Sequence, residues 1–175
     1  MSKEPQLRSV IADLPTYKAG KKVAGVAGLD PYKLSSNENP TEPLPSVLKV
    51  IAEAALEINR YPDPFVTELT KSLAKKFNVP ESHIATGTGS VGVCQQIMQA
   101  VAQPGDEVIY AWRSFEAYPI ITKIVGAKPI EVPLTKSGSH DLPAMLAAIT
   151  KNTKLILICT PNNPTGAVVN HQELK

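Results

Sequence analysis

Two asparagines, two prolines and a glycine crowd the segment Cys159-Thr160-Pro161-Asn162-Asn163-Pro164-Thr165-Gly166, which directly follows the apolar run Leu155 to Ile158. Amide side chains carry both donors and acceptors, and proline fixes φ, so such a segment can hold polar groups rigidly toward a ligand. The apolar run reads as a buried parallel strand. Ligands of open α/β sheets sit beyond the carboxyl ends of the strands, which is where this segment falls. Asn, Pro and Gly are also ordinary turn residues, so a plain loop is the competing reading.

A second polar turn lies upstream. His83-Ile84-Ala85-Thr86-Gly87-Thr88-Gly89-Ser90 precedes Val91, Cys94, Ile97, Met98 and Val101, which recur at helical spacing. The pattern predicts a strand, a glycine-rich turn and a helix N-terminus. Gly87 and Gly89 allow close backbone approach, and Ser90 suits an N-cap. The free N–H groups that follow favour an anion, most simply a phosphate.

Residues 87–92 match G-x-G-x-x-G, but the dinucleotide reading fails on the next strand. That fingerprint needs an acid at the strand's far end to hold a ribose. Here Asp106 and Glu107 open the strand, and Trp112 and Arg113 close it. No Gly-Lys-Ser/Thr follows, which excludes a P-loop. After this strand comes Trp112-Arg113-Ser114-Phe115-Glu116-Ala117-Tyr118-Pro119. An aromatic cluster there can stack on a flat ring, or Phe115 and Tyr118 can simply anchor the next helix to the core.

The elements that must position these groups alternate. The spacing predicts helices over Pro45 to Asn59, with Leu48, Ile51, Ala55 and Ile58 inward, and over Pro64 to Asn78, with Phe65, Leu69, Leu73 and Phe77 on one face. Beyond them it predicts strand 83–86, helix 90–102, strand 107–111, helix 115–125, strand 128–133, helix 142–149 and strand 154–159. Asp141 and Pro143 read as a helix start. This alternation argues for an α/β fold of three αβα layers with a mostly parallel sheet, preceded by an irregular, proline-bearing arm over residues 1–43.

The 175 residues are 43% hydrophobic and 19% charged, with a net charge of +2, as in ordinary globular chains. No basic run points to nucleic acid, and no apolar stretch approaches membrane-spanning length. The polar N-terminus carries no secretory signal, so a cytoplasmic location is expected. Cys94 and Cys159, in apolar surroundings, read as buried free thiols. His83, His140 and His171 lack metal-ligand spacing, so no metal is expected.

Four segments in order carry a family resemblance: Leu34-Ser35-Ser36-Asn37-Glu38-Asn39-Pro40, Asn59-Arg60-Tyr61-Pro62-Asp63, Gly87-Thr88-Gly89-Ser90 and Pro161-Asn162-Asn163-Pro164-Thr165-Gly166. The chain resembles the class I/II, pyridoxal-phosphate-dependent aminotransferases of the aspartate aminotransferase fold (fold type I). More narrowly it resembles their histidinol-phosphate and aromatic branch. Residues 90–96 and 112–119 look more like aromatic, or phenylalanine, aminotransferases, because histidinol-phosphate enzymes more often carry Tyr where Phe115 stands.

The resemblance implies roles. Gly89, Ser90 and Val91 would bind the phosphate of pyridoxal 5'-phosphate, Phe115 would stack on its ring, and Asn163 would bond the ring's phenolic oxygen. A cis bond before Pro164 would fit the same loop. Tyr61 would reach a neighbour's cofactor in a homodimer, and Tyr17 and Asn39 would face the substrate. From the residues alone, Tyr61 also reads as half-buried at a helix end, and Asn37 and Asn39 as a turn.

The implied activity is amino transfer between an aromatic amino acid and a 2-oxo acid such as 2-oxoglutarate. Histidinol phosphate is the alternative substrate, for which Arg113 and Lys18 are the candidate cations. A related decarboxylase and a non-catalytic cofactor-binding fragment or sensor are further alternatives. In the family the Schiff-base lysine, the carboxylate at the pyridine nitrogen and the main substrate arginine follow the Asn-Pro-Thr-Gly loop. They are therefore expected beyond Lys175, with residues 44–175 forming an incomplete large domain that neither transaminates nor folds well alone.

Overall fold

The computed structural model describes residues 6–15, 24–33 and 36–175. Tyr17, Lys18, Leu34 and Ser35 lie outside them. The chain divides into two compact units, Tyr17–Thr86 and Met1–Thr16 with Gly87–Lys175.

In the first unit, helix α1 spans Pro45–Ala54 and continues as a 3-10 turn over Ala55–Glu57, and helix α2 spans Thr67–Phe77. Pro45 starts α1 because its missing N–H costs nothing at the first helical position. The apolar faces expected to turn inward are not covered. Leu48, Ile51 and Ile58, like Phe65, Leu69 and Phe77, are exposed, while Ala74 is buried. An apolar stripe at helical spacing specifies that a face seeks a partner, not that the partner lies in the same segment.

Asp63 fixes the entry to α2. Its carboxylate accepts from the N–H groups of Phe65 at 2.9 Å and Thr67 at 2.8 Å. Between them Val66 takes φ +50°, a conformation that β-branched residues rarely enter. These bonds hold the Asp63 carboxyl below its ordinary range, with the Thr67 bonds the largest cause.

The second unit carries the sheet. Strands β1 (Glu107–Trp112), β2 (Lys128–Pro133) and β3 (Thr153–Leu157) are parallel in the order β2-β1-β3. Helix α3 (Gly89–Val101) precedes β1, α4 (Ala117–Ile124) joins β1 to β2, and α5 (Leu142–Ala147) joins β2 to β3. Alternate residues of β1 serve opposite faces, as the two-residue strand period requires. Val108 and Tyr110 pack with Met98 of α3 and with Tyr118 and Ile121 of α4. Ile109 and Ala111 pack on the other face with Val132 and with Met145 of α5. The result is the expected three-layer αβα arrangement, with β1 buried at its centre.

Residues 83–86, expected as a strand, do not pair: Glu81–His83 form a 3-10 turn, and the extended segment after it finds no neighbouring strand among the described residues. Asp141 does cap α5, accepting from the Ala144 N–H at 3.0 Å, with Pro143 in the first turn. The N-terminal arm docks through the 3-10 turn Ser9–Ile11. The Arg8 guanidinium donates to the Ile124 carbonyl at 3.0 Å, and Lys123 Nζ donates to the Asp13 carbonyl at 3.0 Å.

Candidate functional site

Because the strands are parallel, Trp112, Pro133 and Leu157 all end at one edge of the sheet. Loops 113–116, 134–141 and 158–166 leave from that edge. Helix α3, joined to β1 by the short connection 102–106, runs back against it and so brings its N-terminus to the same edge.

That N-terminus differs from the expectation in detail. The N-cap is Thr88 rather than Ser90, and its side chain caps nothing. Gly89 opens the helix at φ +75°, a conformation L side chains rarely adopt, and the space where a Cβ would stand is open. Its own N–H is already spent on the Gly87 carbonyl at 2.9 Å. Ser90 and Val91 follow in the first turn, where N–H groups have no acceptor four residues back, and both are exposed. Gly87 and Gly92 have a different reason to be glycine. A Cβ on Gly87 would stand 3.1 Å from Val93 Cγ2, and one on Gly92 would stand 2.9 Å from Thr88 Oγ1. They let the turn fold tightly onto its own helix.

In the loop after β1, Phe115 is half-buried and meets Tyr118 edge-on, with centroids 5.5 Å apart. Tyr118 is buried in the core, so the anchoring reading holds for it. Phe115 packs at the margin of the same cluster. Arg113 lies over the Trp112 ring at 5.6 Å and pairs with Glu116 at 3.7 Å. The Trp112–Arg113, Thr160–Pro161 and Asn163–Pro164 peptide bonds are all cis.

In the loop after β3, the two adjacent asparagines divide. Asn162 is buried and Asn163 is half-buried. Ser114 Oγ donates to Asn162 Oδ1 at 2.6 Å, and Asn162 Nδ2 donates to the Arg113 carbonyl at 3.2 Å and to Thr165 Oγ1 at 2.9 Å. Sequence reasoning missed this structural use of Asn162. The only signal available was the doubled asparagine itself.

The opposite edge of the sheet is acidic and basic but structural. Glu107, the acid that argued against a dinucleotide, is buried there. It accepts from Thr150 Oγ1 at 2.6 Å and pairs with Lys128 at 3.4 Å. These partners, Thr150 foremost, hold its carboxyl below the ordinary range. Cys94 and Cys159 are free, half-buried, and packed on the cluster that holds Tyr118. Burial pushes the Cys94 thiol and the Tyr118 phenol up, with Cys159 adding to both. No group of three metal-ligating side chains occurs among the described residues, nor any helix long and apolar enough to cross a membrane.

In the other unit, Tyr61 is fully exposed rather than half-buried. Asn39 Oδ1 closes a turn onto Thr41, accepting from its N–H at 3.0 Å and its hydroxyl at 2.7 Å, as the turn reading expected.

The family model described as Aminotransferase class I and II matches residues 30–175. Two curated proteins named aromatic amino acid aminotransferase are close in sequence. The one from Thermobifida fusca is 55% identical over 172 residues and the one from Streptomyces coelicolor 58% over 171. Each alignment covers 98% of this chain and 47% of the relative. The chain thus spans about half the length of the curated relatives it matches. Among solved structures, histidinol-phosphate aminotransferase from Sinorhizobium meliloti, in complex with pyridoxal-5'-phosphate, aligns with a TM-score of 0.75 at 26% identity. That alignment covers 93% of this chain and 44% of the other. A Thermus thermophilus aspartate aminotransferase mutant aligns with a TM-score of 0.72 at 29% identity, covering 81% and 40%. With a fold-type I architecture and a family model that matches residues 30–175, this chain belongs to the class I and II aminotransferase family.

Proposed function

We propose that the protein carrying this chain is a pyridoxal-phosphate-dependent aminotransferase that moves an amino group between an aromatic amino acid and a 2-oxo acid such as 2-oxoglutarate. The observation that carries the cofactor assignment is convergence: the uncapped N-terminus of α3, the half-buried Phe115 ring and the half-buried Asn163 amide all belong to one edge of the sheet. The residues fit the group. Exposed first-turn N–H groups and the Ser90 hydroxyl suit a dianionic phosphate, an aromatic ring suits a flat heterocycle, and an amide suits a phenolic oxygen.

When bound, pyridoxal phosphate supplies an electron sink for charge developing at the substrate's α-carbon. The chain's residues bind and orient. Ser90 and Val91 hold the phosphate, and Gly89 gives the turn its shape rather than a donor. Phe115 covers a ring face and excludes water there. Asn163 donates to the phenolic oxygen. Tyr61, fully exposed here, reaches the cofactor of a second copy, and Asn39, with Tyr17 outside the described residues, faces the substrate. The exposed apolar faces of α1 and α2 support a homodimer, since uncovered patches of this kind mark interaction surfaces. A cytoplasmic location goes with this reading.

Residues 1–175 alone are proposed to be inactive. Among the described lysines near the sheet, Lys128, Lys151 and Lys154 lie at or near its amino edge, Lys123 is bonded to the arm, and Lys136 is exposed on the loop that follows β2. Only Lys136 of these belongs to a carboxyl-edge loop, and it precedes the Asn-Pro-Thr-Gly loop, after which the family's Schiff-base lysine is expected.

Aromatic substrates are favoured by the names of the relatives at 55–58% identity. They are favoured also by Arg113, whose guanidinium is already engaged by Trp112 and Glu116. Histidinol phosphate is the second reading, favoured by the likeness to the S. meliloti structure. Turnover of phenylalanine and of histidinol phosphate by the full-length protein decides between them. A higher kcat/KM for phenylalanine is expected. The reverse order overturns the substrate assignment, and no turnover of either overturns the activity.

A further inference from the structure

Asn162 has no donor left for a ligand. Its N–H donates to the Ala167 carbonyl at 2.7 Å and its own carbonyl accepts from Gly166 at 2.7 Å, closing the loop on itself. Its side-chain oxygen accepts from Ser114, and its amide hydrogens go to Arg113 and Thr165. Thr165 Oγ1 in turn donates to the Gly138 carbonyl at 2.8 Å, which ties in the loop between β2 and α5. Gly138 sits at φ +80°, and a Cβ there would stand 3.4 Å from Thr165 Cβ, so the third loop is fitted closely to the second. One chain of hydrogen bonds therefore links the loops that leave all three strands.

Both buried members of that chain are sequence neighbours of residues assigned to the cofactor. Ser114 is 1% exposed and precedes Phe115, and Asn162 is 2% exposed and precedes Asn163. Buried polar groups in a fully satisfied network have one low-energy arrangement, so they fix what is attached to them. We propose that Ser114, Asn162 and Thr165 are positioning residues that set the Phe115 ring against the Asn163 amide. They touch neither cofactor nor substrate. This inference rests on the cofactor assignment made above.

The test uses the full-length protein loaded with pyridoxal phosphate, in wild-type form and as Ser114→Ala, Thr165→Val and Thr165→Ser. Thr165 is exposed, so its variants keep the test alive if Ser114→Ala does not fold. The readouts are the cofactor's induced visible circular dichroism, which reports ring orientation, its Kd, and the melting temperature of the apoprotein. Ser114→Ala and Thr165→Val are expected to weaken the dichroism and raise Kd by about tenfold, as for groups that orient ligating residues. Thr165→Ser, which keeps the hydroxyl, is expected to restore both. Wild-type dichroism and Kd in either folded variant, even with a lowered melting temperature, would reduce the chain to a stabilising role and overturn the proposal. Failure of wild-type protein to bind pyridoxal phosphate overturns the cofactor assignment itself.

Discussion

Phe115 meets Tyr118 at 89° with ring centroids 5.5 Å apart, so the residue assigned to the cofactor ring is also braced by the core. Tyr118 is held in turn by Tyr110 at 5.7 Å, and Tyr110 donates to Glu131 Oε1 at 3.2 Å across the β1–β2 pair. A stacking ring that wandered would contribute little. This one is backed by two buried aromatics on rigid elements.

Replacing Phe115 with leucine keeps apolar bulk at the margin of the core but removes the flat face. Stacked aromatic pairs contribute about 1 kcal/mol beyond burial. Phe115→Leu is therefore expected to raise the Kd for pyridoxal phosphate by about fivefold to tenfold, and to lower the urea midpoint of the apoprotein modestly through loss of the edge-on contact with Tyr118. An absorbance titration and a urea melt on the same preparation check this. Unchanged affinity would reassign Phe115 to the core alone.

Gly89 offers a sharper discrimination, because its proposed role concerns the phosphate alone. Alanine at φ +75° carries a cost of about 1–2 kcal/mol, and the open space beside it means the cost is conformational rather than steric. Gly89→Ala is expected to distort the turn and weaken pyridoxal phosphate by about tenfold, with little effect on pyridoxal, which lacks the phosphate. Equal losses for both ligands would show that the turn serves something other than the phosphate.

Acid should destabilise the fold in two stages. His140 is buried, and neither ring nitrogen meets a partner among the described residues. Burial lowers its pKa from the ordinary 6.5. Between 6.5 and that lowered value the unfolded chain binds a proton that the folded chain refuses, so stability falls as pH falls through this window. Glu107 and Asp63 act further down. Their folded pKa values lie below the ordinary 4.5 and 3.8, so their contribution is fully present above those values. It is lost as pH drops through the folded ones. Urea midpoints measured against pH should show both limbs, with His140→Leu flattening the upper and Glu107→Gln the lower. Slopes identical to wild type in both variants would contradict the assignment.

Much of the second unit was legible from the sequence. The range of β2 and the cap at Asp141 came from local rules, since a buried strand and an Asp-x-Pro helix start carry their signals within a few residues. The Ser90 cap was misplaced by two residues because Gly89 can open a helix at a positive φ that no other residue favours. The strand at 83–86 failed because a strand needs a neighbour, and none among the described residues pairs with it. The inward faces of α1 and α2 failed for the same reason, since periodicity names a face but not its cover. Asn162 was hidden because its partner Ser114 lies in another loop, and only the parallel sheet brings the two together.

The positions of the cofactor's phosphate and ring decide the assignment of the carboxyl edge. A crystal structure of the full-length protein grown with pyridoxal phosphate measures this directly. The phosphate is expected about 3 Å from the N–H groups of Ser90 and Val91, with the ring over Phe115 and its phenolic oxygen at the Asn163 amide. Cofactor density at any other edge of the sheet, or none at saturating cofactor, would contradict it.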